Sequence, residues 1–286
     1  MAAWPVATPR GPARAARTRT MLLQPVLILE LLLAGVGAGL LSGLLGIGGA
    51  MVLVPVLTFV LGHTGVAPEY TVKMAVATSL ATIMFTSMSS VRAHHRRGAV
   101  RWGIARVLAP GIVLGSLVGA QVAVALPAKM LGILFAVFIA FSATQMLLDR
   151  KPSASRTIPG PLGTFGVGTV IGLLSALVGA GGAFVSVPFM TWCNVKIHEA
   201  VATSAALGFP IALAGTLGYM WAGRDLAQAP PGSVGYIFLP GLVIISLASM
   251  SLAPLGARIA HGMEIRPLKR VFAVVLYGIS AYFLLR

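Results

Sequence analysis

The chain has 286 residues, of which 57% are hydrophobic and only 9% carry a charge. A soluble domain has about 45–50% apolar and about 25% charged residues, so a water-soluble fold of this length would expose far too much apolar surface. The hydrocarbon core of a bilayer can accommodate that surface, and the composition therefore predicts an integral membrane protein. The single cysteine, Cys193, excludes an intramolecular disulfide and a multi-cysteine metal site.

The formal net charge of +15 reflects 21 lysines and arginines against 6 acidic residues. The basic residues cluster in short segments between apolar runs, as membrane topology requires, and no aromatic-basic surface indicates nucleic-acid binding. Residues 1–20 hold four arginines and no acid. We interpret them as a basic, disordered N-terminal extension, an Arg-rich leader, or a mis-assigned gene start with Met21 as the true initiator.

Eight apolar runs follow in chain order, at residues 22–62, 72–91, 103–126, 128–148, 160–193, 199–222, 234–257 and 267–285. The simple runs are near the roughly 20 residues with which a helix spans a bilayer. We predict helices because backbone polar groups in lipid must be satisfied within their own segment. The first and fifth runs are too long for one span, and each is interrupted by a glycine cluster followed by a proline.

An internal repeat explains the two interrupted runs. Residues 39–55 read GLLSGLLGIGGAMVLVP and residues 172–188 read GLLSALVGAGGAFVSVP, identical at 12 of 17 positions. The segment AVATS at 75–79 recurs at 200–204. Shorter matches follow in the same order: Pro110-Gly111 with Pro240-Gly241, Val118–Ala120 with Leu255–Ala257, and Phe135–Val137 with Phe272–Val274.

The sequence thus predicts an all-α polytopic membrane protein with about eight transmembrane segments in two homologous four-segment halves. The halves are residues 22–148 and 160–286, joined by a linker at 149–159. In each half, the first segment is broken at its Gly-rich loop.

The membrane topology has two alternatives. If every run crosses once, 14 lysines and arginines lie on the side of the N-terminus and 7 on the other side, which puts the N-terminus inside. If runs one and five are re-entrant hairpins, the counts become 8 and 13, the orientation reverses, and the halves become inverted repeats. Charge alone leaves both open; we expect eight spans with the N-terminus inside.

The glycine clusters are the first candidate for a binding site; their members are Gly46, Gly48, Gly49, Gly179, Gly181 and Gly182. Each glycine costs a helix about 1 kcal/mol relative to alanine, so a break is expected. At membrane depth, freed backbone groups are tolerated only inside protein or along a wet cavity, and the next half-helix offers its N-terminus to an anion. Matching breaks in two halves indicate a transporter site. The alternative is close packing of helices.

Four hydroxyl residues follow the breaks: Thr78, Ser79, Thr203 and Ser204. Their hydroxyls can donate to the oxygens of an anion, and we predict that they form the side-chain part of the same site. The alternative is hydrogen bonding within and between helices.

Glu30 is an acid inside the first apolar run. A carboxylate deep in a membrane costs several kcal/mol unless it is paired or faces water, which makes Glu30 a candidate for proton coupling. The alternative is a position at the membrane interface. His94, His95, Arg96 and Arg97 lack the spacing of a helical metal pair and are interpreted as a basic anchor facing lipid headgroups.

Signatures of catalysis are missing from the sequence: GxSxG with a plausible triad, HExxH and a P-loop lysine. We therefore predict a protein that is not an enzyme and holds no cofactor or metal. Without a P-loop, ATP cannot power transport through this chain itself.

The chain resembles the TauE/SafE family of membrane transporters, also called the sulfite exporter family, over about residues 22–286. The resemblance is carried by GLLGIGGAMVLVP at 43–55, ALVGAGGAFVSVP at 176–188, the two AVATS segments and the two-times-four layout. It implies a secondary carrier of the cytoplasmic membrane for small, often sulfur-containing anions, and it places the family's Gly-rich loops on the two glycine clusters. The Arg-rich residues 1–20 depart from the family pattern.

Two function hypotheses follow. The first is a secondary transporter with a central site between halves that rock to alternate access. The second is a non-transporting membrane scaffold or assembly subunit in which the glycines only pack helices. The partners expected are a small anionic substrate and membrane lipids, with a homo-oligomer left open and nucleic acid excluded.

Overall fold

The computed structural model describes residues 25–45, 50–148, 157–226, 229–261 and 265–285. The N-terminal extension, the glycine cluster at Gly46, Gly48 and Gly49, and residues 149–156 of the linker lie outside the described residues.

The described part of the chain forms ten helices and one short hairpin. The helices are α1 Pro25–Leu45, α2 Ala50–His63, α3 Pro68–Arg96, α4 Trp102–Ala125, α5 Ala128–Leu148, α6 Pro161–Val178, α7 Ala183–Trp192, α8 Ile197–Ala222, α9 Leu239–His261 and α10 Ile265–Leu285. Strands β1 Ser233–Val234 and β2 Ile237–Phe238 pair in antiparallel fashion before α9. Hydropathy does not mark this hairpin, because Val234, Ile237 and Phe238 fall within the apolar run at residues 234–257.

Five helices, α3, α4, α5, α6 and α8, are long and apolar enough to cross a membrane. The other five are also apolar but have shorter described stretches. Large apolar side chains such as Leu162, Leu247 and Val274 are exposed on the outer surface, where a lipid environment removes the cost of exposing them to water. The prediction of an α-helical, multi-pass membrane protein is confirmed.

The fifth apolar run is broken where its glycine cluster lies, as predicted. Helix α6 ends before Gly179 and helix α7 starts after Gly182, and both glycines have left-handed backbone angles, with φ of 73° and 76°. An L side chain rarely adopts this conformation, which explains why glycine occupies both positions. The carbonyl of Ser175 accepts hydrogen bonds from the N–H groups of Gly179 and Ala180 and thereby closes the end of α6.

Contacts along α4 fix the direction of α6. The Arg101 N–H bonds Thr203, and the Gln121 side chain bonds the carbonyl of Gly218, so α4 and α8 run parallel. Gly111 of α4 packs on Phe165 and Gly119 on Leu173, so α6 runs parallel to both.

Helix α7 runs in the opposite direction. A Cβ at Gly182 would lie 2.5 Å from Ile211, and the hydroxyls of Ser186 and Ser204 are 2.7 Å apart, so α7 descends along α8. The fifth run is therefore a helical hairpin that returns toward its starting side. Our expectation of eight segments that each cross once is wrong for this run, and the re-entrant alternative applies.

Helices α3 and α8, which carry the two AVATS segments, pack against each other in antiparallel fashion. A Cβ at Gly208 would lie 3.4 Å from Ser87, and a Cβ at Gly215 would lie 3.1 Å from Leu80. Eight simple spans would have made the two matching helices parallel, whereas two hairpins make them antiparallel.

Small residues bring two pairs of parallel helices, α4 with α6 and α1 with α9, into close contact. The glycines at these contacts are Gly111, Gly115, Gly119, Gly168 and Gly172 in the first pair and Gly35, Gly39 and Gly256 in the second. Between lipid-embedded helices the hydrophobic effect is weak, so close backbone approach supplies the attraction.

The same contacts correct one repeat match. The repeat that aligns residues 39–55 with 172–188 also pairs Gly35 with Gly168. Gly168 packs on Gly111, and Gly35 packs on Ala248, so Ala248 rather than Gly241 corresponds to Gly111. Pro110 lies in the middle of α4 whereas Pro240 lies in the first turn of α9. The match of Pro110-Gly111 with Pro240-Gly241 is wrong.

Gly172→Leu is expected to destabilise the protein, because a side chain there would meet the carbonyl oxygen of Ile112. Overpacking of this kind costs about 1–3 kcal/mol, so the melting temperature in detergent should fall by several degrees. Gly166→Leu is the matched control on the same helix, since a Cβ there has nothing within 4 Å. Equal melting temperatures for the two variants would contradict the close contact between α4 and α6.

Candidate functional site

The two threonines predicted from the sequence make matching hydrogen bonds. Thr78 on α3 accepts the N–H of Phe238 at 3.0 Å, and Phe238 immediately precedes α9. Thr203 on α8 accepts the N–H of Arg101 at 2.9 Å, and Arg101 immediately precedes α4. Both threonines are 0% exposed. Each hydroxyl thus binds a backbone donor at the start of a helix from the other half of the sequence.

These two bonds lie toward opposite ends of the α3–α8 pair. Both threonines are early in their helices, and the helices run in opposite directions. The structure therefore does not bring the four predicted hydroxyl residues to one place. Ser79 is level with Thr216 and lies about 18 Å along the helix axes from Ser204, at about 1.5 Å per residue.

The serines contact the broken segment from both sides. The Ser79 hydroxyl donates to the carbonyl of Gly179 at 3.3 Å, and the Ser204 hydroxyl lies 2.7 Å from that of Ser186 in α7. Between these contacts, Gly181 is half-buried and faces Ile83, near the middle of the α3–α8 pair. The break is thus central, with one predicted serine on each side of it.

Thr216 of α8 is a candidate site residue that sequence reasoning missed. Its neighbour Gly215 packs on Leu80 and lies against Ala176 near the end of α6. Among the described residues, the hydroxyls of Thr216, Ser233 and Ser246 are buried without a hydrogen-bond partner. An unpartnered buried hydroxyl is costly and calls for an explanation such as a ligand. Nothing in the sequence marks Thr216, because its distinction is the lack of a partner.

Two further side chains hold helix ends. The buried Lys73 donates from Nζ to the carbonyl of Val124 at 2.7 Å, in the last turn of α4. The Tyr219 hydroxyl donates to the carbonyl of Ala176 at 3.0 Å, just before the break. Both satisfy carbonyls that a helix end leaves without an intrahelical donor.

Each end of the α3–α8 pair has its own set of contacts. At one end, Arg101 Nε contacts Glu199 Oε2 at 2.8 Å, beside the bond to Thr203. At the other, Tyr236 of the hairpin packs between Tyr70 and Tyr219, with ring centroids 6.2 and 6.3 Å away. Burial, together with the nearby Tyr70 hydroxyl and the Glu69 carboxylate, raises the pKa of Tyr236 and keeps its hydroxyl neutral.

Glu30 lies apart from this region. It is half-buried on α1, and its neighbour Leu31 contacts Gly241 in the first turn of α9. This position near a helix end favours the interface alternative over a coupling acid. Within the described ranges, no cluster of three or more His, Cys, Asp or Glu side chains could hold a metal ion.

Gly181 and Gly182 of the break differ in backbone angle, so substitutions at these two positions can separate an effect on folding from an effect on function. Gly182→Ala is expected to destabilise the protein by about 1–2 kcal/mol, since alanine is strained at a left-handed angle and its Cβ would press on Ile211. Gly181→Ala is expected to fold normally, because the nearest atom to its Cβ is 3.5 Å away. Thermal melts of the two variants test this, and a Gly181→Ala protein that fails to fold would contradict the described geometry.

Comparison with known proteins gives one consistent result. The family model described as Sulfite exporter TauE/SafE matches residues 31–283. A probable membrane transporter protein of Haemophilus influenzae is 33% identical over 254 residues, covering 88% of this chain and 96% of the relative. A probable membrane transporter protein of Methanocaldococcus jannaschii is 26% identical, with coverages of 93% and 96%, and YdhB of Bacillus subtilis is 29% identical, with 79% and 87%. No solved structure matches the chain significantly.

Proposed function

Because the chain belongs to the sulfite exporter TauE/SafE family, we propose that it is a secondary transporter for a small anion that works by alternating access. The relatives above are all named probable membrane transporter proteins, which supports transport rather than catalysis. The proposed substrate is a sulfur-containing organic or inorganic oxyanion, in keeping with the description of the family as sulfite exporters. The proposed location is the cytoplasmic membrane.

The proposed architecture is a pair of inverted repeats, residues 22–148 and 160–286, each beginning with a broken hairpin. Three observations support it: the α6–α7 hairpin, the antiparallel packing of α3 on α8, and the matching contacts of α4 with α6 and α1 with α9. With two hairpins, 13 lysines and arginines share the side of the loop between α3 and α4, against 8 on the side of the N-terminus. This charge bias places that loop inside and the N-terminus outside, the reverse of our first expectation.

The observation that carries alternating access is the pair of threonine bonds at opposite ends of the α3–α8 pair. Thr78 holds the start of α9 toward one membrane face, and Thr203 holds the start of α4 toward the other. Alternating access requires one end to open while the other stays closed. We assign each threonine bond to the closure of its own end.

The proposed substrate site is the break between these two closures. The N-terminus of α7 offers backbone N–H groups, which favour an anion. Ser79 and Ser204 border the break, and we assign to the same site the unpartnered hydroxyl of Thr216, which is level with Ser79 along the α3–α8 pair. Gly46, Gly48 and Gly49 would complete the site from the first repeat.

Thr78→Val and Thr203→Val are expected to open opposite ends of the protein. Each change leaves a buried N–H without its acceptor, which costs the closed state of that end about 1–3 kcal/mol. We would measure maleimide labelling in a Cys193→Ser background, with a reporter cysteine at Ile237 for one end or Val100 for the other, both of which are buried.

Thr78→Val should accelerate labelling at Ile237 alone, and Thr203→Val at Val100 alone. The unaccelerated reporter in each variant is the internal control. If one variant accelerates labelling at both reporters, the substitution loosens the whole protein rather than one end. If neither reporter is labelled faster, the threonine bonds do not hold the ends closed.

Thr216→Val is expected to abolish anion binding without destabilising the protein, since the hydroxyl has no partner to lose. We would follow the melting temperature of purified protein with sulfite, sulfate, thiosulfate, sulfoacetate, taurine and simple carboxylates, because a ligand of the folded state raises it. Ser246→Ala is the matched control, another unpartnered buried hydroxyl, placed on α9.

A shift with one anion that is lost in Thr216→Val and kept in Ser246→Ala would support the site and name the substrate class. A shift kept in both variants would move the site away from Thr216. An absence of shift and of uptake into proteoliposomes would favour the alternative, a non-transporting membrane scaffold or assembly subunit.

A further inference from the structure

A cavity lies away from the break, where the end of α3, the start of α4 and the middle of α8 meet. Its volume is about 450 Å³. Its floor is apolar, with Ala105, Leu207 and Pro210 among its lining residues, whereas Arg92 and Arg106 line it from α3 and α4. None of the described residues that line this cavity is a carboxylate, so the two guanidinium groups face it without a compensating acid from that part of the chain.

The cavity opens toward the surrounding membrane. Met88 and Trp102, which border it, are 57% and 39% exposed. The Trp102 ring is held by a hydrogen bond from its Nε1–H to His95 Nδ1 at 3.1 Å. Tryptophan and arginine at one level of a helical bundle are typical of the headgroup region.

The cavity extends from this level into the hydrocarbon region. Along α4 it runs from Trp102 to Ala109, seven residues or about 10 Å at 1.5 Å per residue. That length suits part of an acyl chain, while Arg92 and Arg106 lie about one helical turn from the basic segment that includes Arg96, Arg97 and Arg101. An occupant therefore needs an apolar tail and an anionic head.

We propose that this cavity binds an anionic phospholipid, with one acyl chain on the apolar floor and the phosphate between Arg92 and Arg106. The site is distinct from the proposed substrate site, since no residue of the Gly179–Gly182 break lines it. The lipid would bridge α3, α4 and α8 beside the Thr203–Arg101 bond and so stabilise the closed form of that end.

The test is native mass spectrometry of the purified full chain in detergent with equal amounts of dioleoyl phosphatidylglycerol and dioleoyl phosphatidylcholine. We expect a preference for phosphatidylglycerol. Each arginine near a membrane surface contributes about fivefold to such a preference, so the double variant Arg92→Gln/Arg106→Gln should reduce it about 25-fold. Arg96→Gln/Arg97→Gln is the matched control, since these neighbours carry the same charge but do not line the cavity. An equal loss in both double variants would show general surface attraction and overturn the site.

A second variant tests the apolar part of the cavity. Ala109→Phe fills it and leaves both arginines in place, so it should also lose the preference for phosphatidylglycerol, with an unchanged melting temperature in phosphatidylcholine as the folding control. Inorganic phosphate alone should not compete with the lipid. Competition by phosphate, or a full preference retained in a folded Ala109→Phe protein, would overturn the requirement for an acyl chain.

Discussion

A broken helix inside a bilayer exposes backbone N–H and C=O groups that lipid cannot satisfy, and the fold depends on how the protein meets this need. At the described break, the carbonyl of Ser175 accepts from two successive N–H groups and the carbonyl of Gly182 accepts from Val185 and Ser186. The carbonyl of Gly179 accepts the Ser79 hydroxyl, which comes from the other half of the sequence. Helix α3 therefore helps to stabilise the break.

Close packing of small residues keeps the broken segments in that place. Helix α6 lies against α4, and α1 lies against α9, along glycines that let the backbones touch. Each of these pairs joins one half of the sequence to the other, so neither half encloses its own first helix. Within the first half, Lys73 holds α3 to the last turn of α4.

The helices, the break at Gly179–Gly182 and the buried hydroxyls could be predicted from the sequence, because hydropathy, glycine and hydroxyl content are local properties. The direction of α7 could not be predicted. A single crossing and a hairpin have the same hydropathy, and the lysine and arginine counts of the two topologies favour opposite orientations of the chain. The partners of Thr78 and Thr203 are backbone groups more than 100 positions away, and the missing partner of Thr216 is a property of packing alone. The two-residue match at Pro110 failed for the same reason, because the helix register is set by the glycine contacts.

These interfaces bear on which parts would move in the proposed transport cycle. Rocking one sequence half against the other would have to separate the glycine contacts of α4 with α6 and of α1 with α9, where backbone touches backbone. Such contacts do not slide gradually, because a close-packed surface has few alternative arrangements. The ends of the α3–α8 pair are tied instead to neighbouring helices, α3 by the Thr78 bond to the start of α9, and α8 by the Thr203 bond and the Glu199 ion pair to Arg101 before α4. Motion at these ends, with the cross-half pairs moving as rigid units, would open one end at the loss of these few polar contacts.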